Sequence, residues 1–310
     1  MKHPWSPQRF AQEALAAGCT PEVIEAAQDA ARKIKRVNED LPVILTLEHL
    51  GHLIDVNPMT LRNVVDRQDD PYRVFRVKKR PRPGWGAAPP RAFRMICVPI
   101  PALMRAQRWI AQNILNAIEP HPASFAFAPR RNLMGAASRH AGCHWLVKLD
   151  LRNFFEAISE RQVYRVFKGL GYGTLISFEL ARLCTRGPSL QNIRRENLAP
   201  ALPHPPGPPG FLPQGAPSSP MLANLAVHQL DDRLQTLADG KGWIYTRYAD
   251  DLAFSTSAPT TRGQASAIAR EADREVRAFG LVCNESKTAI VPPGARKILL
   301  GVQGCSVLIR

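Results

Sequence analysis

Residues 244–256 read IYTRYADDLAFST, and they place two adjacent carboxylates, Asp250 and Asp251, inside a run of apolar and β-prone residues. Adjacent carboxylates repel, and each resists burial without a cation or a proton to neutralise it. The run reads as strand, tight turn, strand, with the Asp pair at the turn. Something cationic must meet it there.

Working outward, CHWLVKLD (143–150) reads as a strand with Trp145, Val147 and Leu149 on one face and Asp150 near its end. If the strands are neighbours, three carboxylates converge on one sheet edge. Such hard oxygen ligands suit Mg²⁺, which prefers carboxylates plus substrate phosphates. Two such ions roughly 3.5–4 Å apart serve both the attacking and the leaving oxygen of a phosphoryl transfer. SSPMLANLAVHQLDDRLQTL (218–237) reads as one helix, with Ser219 as N-cap, Pro220 at the first helical position and leucines near helical period. Residues 262–280 form another helix, while GLVCNESKTAIV and KILLGVQ read as short strands. The expectation is an α+β fold whose helices cover one face of a small antiparallel sheet.

The N-terminal part looks helical. PEVIEAAQDAARKIKRV has acids early and bases late, which suits the helix dipole, and TLEHLGHLIDVNPMTLRNVV reads as two short helices joined at Asn57-Pro58. LAAGC (15–19) lacks an apolar run before it, so it reads as a helix end at Gly18. YRVFRVKKR and RAFRMICVPI form a basic hairpin around a loop, followed by a helix over ALMRAQRWIAQNILNAI. Residues 187–213 carry eight prolines and read as a polyproline-like loop.

The chain of 310 residues carries a net charge of +15. Between Pro71 and Leu149 there are fourteen Lys and Arg and one acid, Glu119. Such segregation points to a polyanionic partner, nucleic acid before membrane. The six cysteines show no metal-site spacing and read as free thiols in a reducing cytoplasm. No apolar run reaches the ~20 residues of a membrane span.

These stretches, taken together, resemble a known family. RYADDL resembles the Y-x-D-D motif of reverse transcriptases, LVKLDLRNFF their motif A, LPQGAPSSPMLANL their motif B and GLVCNESKT their motif D, all in family order. The retron reverse transcriptases are the most similar group, through LISFELARL, QGAPSSP and IYTRYADDL. LMGAASRH stands where retron enzymes carry N-A-x-x-H, with Ala136 replacing the Asn, and LLG (299–301) stands where they carry V-T-G.

The resemblance implies a right-hand polymerase: an N-terminal helical region (1–70), fingers (71–144), palm (145–291) with the Pro-rich loop 187–213, and a short C-terminal segment (292–310), the thumb reduced or absent. It implies RNA-directed DNA synthesis with two Mg²⁺ ions, Asp150 and Asp250 binding both and Asp251 assisting. Phe155 would select deoxynucleotides. Lys78 or Lys79 and Arg94 would clamp the triphosphate, Gln214 and Gly215 would contact nucleotide and template, and Lys287 would serve the pyrophosphate leaving group. His140, with Arg130 and Arg131, would contact RNA, although His140 also reads as a side chain packed beside Trp145. Trp85 reads as a stacking residue or a packing plug. The implied partners are a structured non-coding RNA as template and primer, the RNA–DNA hybrid product and an effector protein, with a role in anti-phage defence. Two other readings compete: a defence-associated or group II intron-like reverse transcriptase, and a non-catalytic RNA-binding scaffold.

Overall fold

The computed structural model describes residues 5–78, 93–187 and 210–303. Four helices lead the chain: α1 (Pro7–Ala16), α2 (Pro21–Val37), α3 (Leu47–Ile54) and α4 (Pro58–Val65). Their ends follow local chemistry. Ser6, Thr46 and Asn57 each accept a first-turn backbone N–H at a helix start. Beyond α1, Gly18 takes the left-handed conformation at φ 83°. The buried stripes Ile24, Ala31 and Ile34 of α2 and Leu47, Leu50 and Ile54 of α3 turn inward at helical spacing.

β1 (Tyr72–Lys78) and β2 (Phe93–Pro99) form an antiparallel ribbon from Tyr72↔Pro99 to Lys78↔Phe93. α5 (Pro101–Asn113) and the short α6 (Leu133–Ser138) precede the central sheet. That sheet is antiparallel, in the order β4 (Ile244–Tyr248), β5 (Asp251–Thr256), β3 (Trp145–Asp150), β6 (Ala289–Val291). Between β3 and β4 run α7 (Glu160–Gly169), α8 (Thr174–Cys184), α9 (Ser219–Ala226) and α10 (His228–Asp239); α11 (Arg262–Ala278) follows β5, and β7 (Ile298–Leu299) pairs with β8 (Val302–Gln303).

The sheet has two unlike faces. Val147, Leu149, Leu252 and Phe254 belong to the main core with Leu230 and Leu234 of α10 and Ile268, Ala272 and Val276 of α11. Leu146 and Ala253 face the other way, into a small cluster with Cys143 and Leu299. Every residue of β3 is buried, so the strand is covered on both faces and not on one as its alternation suggested. Glu160, at the start of α7, receives Arg67 at 2.6 Å and Arg182 at 3.2 Å and so ties the segment after α4 to α7 and α8.

The stretch 218–237 departs from expectation twice. Ser218, not Ser219, is the N-cap, while the Ser219 hydroxyl donates to the Pro213 carbonyl at 2.8 Å. The expected single helix breaks at Val227 into α9 and α10. Among the described residues no helix is long and apolar enough to cross a membrane.

Candidate active site

β4 and β5 are joined by only two residues, Ala249 and Asp250, with Tyr248 paired to Asp251. Ala249 sits at φ 54°, a left-handed conformation that costs a residue with a Cβ roughly 1–2 kcal/mol. The surroundings hold it there. The Asp250 carbonyl accepts the Leu151 N–H at 2.8 Å, which stitches the turn to the end of β3.

Beneath the turn lies a buried polar network that the residue pattern did not reveal. Arg247 and Asp231 both have fully buried side chains, and their guanidinium and carboxylate meet twice, Nε to Oδ1 at 2.8 Å and Nη2 to Oδ2 at 2.6 Å. Tyr245 donates to Asp231 at 2.7 Å, and Arg247 Nη1 donates to Asn224 Oδ1 at 2.9 Å. Ser124 also donates to Asn224 Oδ1, and Asn224 Nδ2 donates to the Ala126 carbonyl, so α9, α10, β4 and the loop at 124–126 share one assembly. Burial pushes the Tyr245 hydroxyl well above its ordinary range, and the adjacent Asp231 adds to the shift. An Arg inside a five-residue strand and an Asp on the leucine stripe of α10 were the available signals.

Register brings Asp150 of β3 directly opposite Asp251 of β5, on the same face as Lys148 and Ala253. That face is the one turned away from α10 and α11. Like charges opposite one another destabilise a sheet unless compensated. The compensation is Lys287, whose Nζ donates to both oxygens of Asp150 at 2.8 Å, with the Asp150 residue only 2% exposed. Lys148, in the same strand, donates to the Ile298 carbonyl at 3.1 Å. Burial lowers its ammonium pKa, and the nearby Asp251 works against that shift. The register and the Leu151–Asp250 contact bring Asp150, Asp250 and Asp251 to one end of the sheet, although among the described residues no three His, Cys, Asp or Glu side chains are already grouped as metal ligands. The Asp150 carboxylate is turned to Lys287 instead. The donor chemistry suits a hard divalent ion, because both oxygens of the buried Asp150 carboxylate already hold a cation.

The β1–β2 ribbon docks against the loop at Gln214. Cys97 N–H donates to the Gln214 carbonyl at 2.8 Å, and the next residue, Gly215, has φ 105°. A Cβ there would lie 2.9 Å from Ile96 Cγ2 and 3.2 Å from the Cys97 carbonyl, so glycine permits the close approach. Arg94 is paired with Val77 and lies on the same ribbon face as Ile96, toward this loop. Lys78 is paired with Phe93 on the opposite face, so Lys78 and Arg94 do not converge. Phe155 is half-buried, its ring 5.6 Å from Phe154 and 6.1 Å from the exposed Phe127.

The reverse transcriptase (RNA-dependent DNA polymerase) family matches residues 77–303. The chain is 32% identical to the Retron Ec86 reverse transcriptase of Escherichia coli, over 86% of this chain and 73% of that protein. It is 35% identical to the Retron Mx162 and 32% to the Retron Mx65 reverse transcriptase of Myxococcus xanthus, over 67% and 84% of this chain. This chain belongs to the retron-type reverse transcriptases.

The retron-type family brings with it the right-hand polymerase fold and RNA-directed DNA polymerase activity. Reverse transcriptases work with divalent metal ions and RNA templates. The chain spans 44% and 58% of the two Myxococcus proteins. Within this retron-type chain, the expected RNA contacts separate. His140 is 3% exposed, and its ring nitrogens lie 2.6 Å from Ser255 Oγ and 2.7 Å from Thr246 Oγ1. With both nitrogens engaged inside the protein it pins the segment after α6 across β4 and β5, and the RNA-contact reading is corrected. Burial pushes its pKa down to about 4, so the imidazole is neutral. Arg131 Nη1 likewise points inward, to the carbonyls of His121 at 2.7 Å and Ser124 at 2.9 Å, and clasps that loop. Arg130 alone of the three is exposed. Lys79 and Trp85 lie outside the described residues.

Proposed function

We propose that this enzyme copies a structured non-coding RNA, acting as both template and primer, into single-stranded DNA, and that Asp150, Asp250 and Asp251 hold two Mg²⁺ ions for the reaction. The observation that carries this reading is the Asp150–Asp251 pairing with Lys287 on both Asp150 oxygens. A buried carboxylate already matched by a cation is where a divalent ion can replace that cation. When bound, the ions supply charge neutralisation for the attacking and leaving oxygens.

The rest is positioning by the chain itself. A primer hydroxyl attacks the α-phosphate of a deoxynucleotide in line, the α–β phosphoanhydride bond breaks, and pyrophosphate leaves. Lys287, once released from Asp150, neutralises or protonates that leaving group. Arg94 and Gln214 orient the triphosphate, and the Phe155 ring excludes a 2′-hydroxyl. Residues 71–144 act as fingers and 145–291 as palm. An RNA–DNA hybrid, an effector protein, a cytoplasmic setting and a role in anti-phage defence complete the proposal.

The test is incorporation of deoxynucleotides on an RNA template. Asp150→Asn and Asp250→Asn should each abolish it while RNA binding persists, because each removes a metal ligand and one negative charge near phosphate. Measurable extension by either purified variant overturns the assignment.

A further inference from the structure

α5 presents one face to the core through Leu103, Ala106 and Ile110 and the opposite face to solvent. On the solvent side, Arg105, Arg108, Trp109 and Gln112 stand at spacings of three and four, a single stripe. With Pro99 and Pro101 they line an open groove of about 510 Å³. That lies within the ~300–1,000 Å³ of ordinary ligand pockets. Neither the groove lining nor α5 contains an acidic residue. Trp109 is half-buried and packs against the main core. Arg105 is set in place by Asp55, its Nη1 donating to the Asp55 carbonyl at 2.6 Å and lying 3.4 Å from the exposed Asp55 carboxylate, an ion pair that phosphate would have to displace.

We propose that this groove binds single-stranded RNA, a base stacking on Trp109 and the flanking phosphates pairing with Arg105 and Arg108. The proposal rests on the reading that the chain handles RNA, and adds a second contact away from the carboxylates. An indole offers its face to any base, and a planar guanidinium meets phosphate through a fork of donors. Proline at the edge supplies a rigid apolar rim. β2 connects the two regions: Cys97 meets Gln214, a residue proposed to orient the triphosphate, and Pro99 of the same strand forms the groove edge. RNA leaving the catalytic face along β2 therefore arrives at α5. An acidic protein is the competing occupant; the groove favours RNA because a stacking surface stands on the same stripe as the two cations.

The experiment uses the full chain and a short fluorescein-labelled single-stranded oligoribonucleotide of mixed sequence, with affinity read by anisotropy across a salt series. Trp109→Leu should weaken binding roughly 5-fold or more at unchanged salt slope, since it removes stacking alone. Arg105→Gln with Arg108→Gln should reduce the slope of log affinity against log salt by about 1.4, near 0.7 for each single-strand phosphate no longer neutralised. Arg108→Gln alone, at an exposed position, should remove about half of that and keeps the test valid if the double variant folds poorly. Single-nucleotide incorporation on a pre-annealed primer–template should stay at the wild-type rate in all three. Asp150→Asn should show the reverse pattern, so failure of the groove and failure of the polymerase reading are separable. Wild-type affinity and slope in folded Trp109 and Arg108 variants overturn the proposal. So does unchanged RNA binding with lost binding of polyglutamate, which assigns the groove to an acidic protein.

Discussion

Lys287 and Asp150, 137 positions apart in the chain, are joined by two contacts of 2.8 Å, so the buried carboxylate at the end of β3 carries its own counter-charge. Breaking a buried pair from one side leaves the other charge uncompensated. The Lys287 side chain is 35% exposed, which moderates the effect.

Lys287→Met should therefore lower stability by ~2 kcal/mol in the presence of EDTA. Added Mg²⁺ should restore more stability to the variant than it adds to the wild type, because ion and ammonium compete for one carboxylate. Urea denaturation of both proteins with EDTA and with Mg²⁺ measures this. Equal Mg²⁺ increments would show that the two cations do not share Asp150.

The Arg247–Asp231 pair beneath the Ala249 turn leads to a second expectation. Arg247→Met strands a fully buried carboxylate and should cost about 3–5 kcal/mol, whereas Arg247→Met combined with Asp231→Leu should recover part of the loss. Denaturation midpoints of the single and double variants decide it. A double variant less stable than the single one would mean that Asp231 is held mainly by Tyr245 and the surrounding dipoles.

His140 links stability to acidity. Its pKa falls from 6.5 to about 4 on folding, so below pH 6.5 the unfolded chain takes up a proton that the folded chain refuses. The stabilisation is complete above pH 6.5 and is lost progressively as pH falls toward 4, by on the order of 3 kcal/mol at most. His49 and His121 are also lowered by burial and act in the same direction. The diagnostic is thus a difference: His140→Gln should flatten the fall in unfolding free energy between pH 7 and pH 5. Parallel profiles for wild type and variant would remove His140 as a cause.

Gly215→Ala should separate the β1–β2 ribbon from Gln214. The new Cβ meets Ile96 and the Cys97 carbonyl at a φ of 105°. We expect a loss of about 1–3 kcal/mol and a rise in the KM for deoxynucleotides larger than the fall in kcat. An unchanged KM would mean that the contact does not position the incoming nucleotide.

Phe155→Val should raise ribonucleotide incorporation relative to deoxynucleotide by relieving the clash with the 2′-hydroxyl. Single-nucleotide extension gives the ratio. No change would leave Phe155 as packing between Phe154 and Phe127.

The β4–β5 hairpin, the Asp150 strand and most helices were legible because each carries its signal locally: alternation around a tight turn, caps, leucines at helical period. What stayed hidden depends on partners distant in sequence. Asp231 gives no sign on α10 that it meets Arg247, and His140 in LMGAASRH does not announce Ser255 and Thr246 as neighbours. Lys78 and Arg94 both look like clamp residues until the register of Val77↔Arg94 sends them to opposite faces. The break at Val227 is missed for another reason, since leucine spacing continues across it.

The pairing of β3 with β5 and β6 has a temporal consequence. Asp150 leaves the ribosome long before Asp251 and Lys287, and chain closure over such separations is slow compared with helix formation. Until β5 and Lys287 arrive, a nascent chain holds a motif A carboxylate with neither its opposite strand nor its ammonium. Synthesis must therefore pass residue 287 before Asp150 can hold both its opposite strand and its ammonium, the pairing on which the proposed mechanism rests.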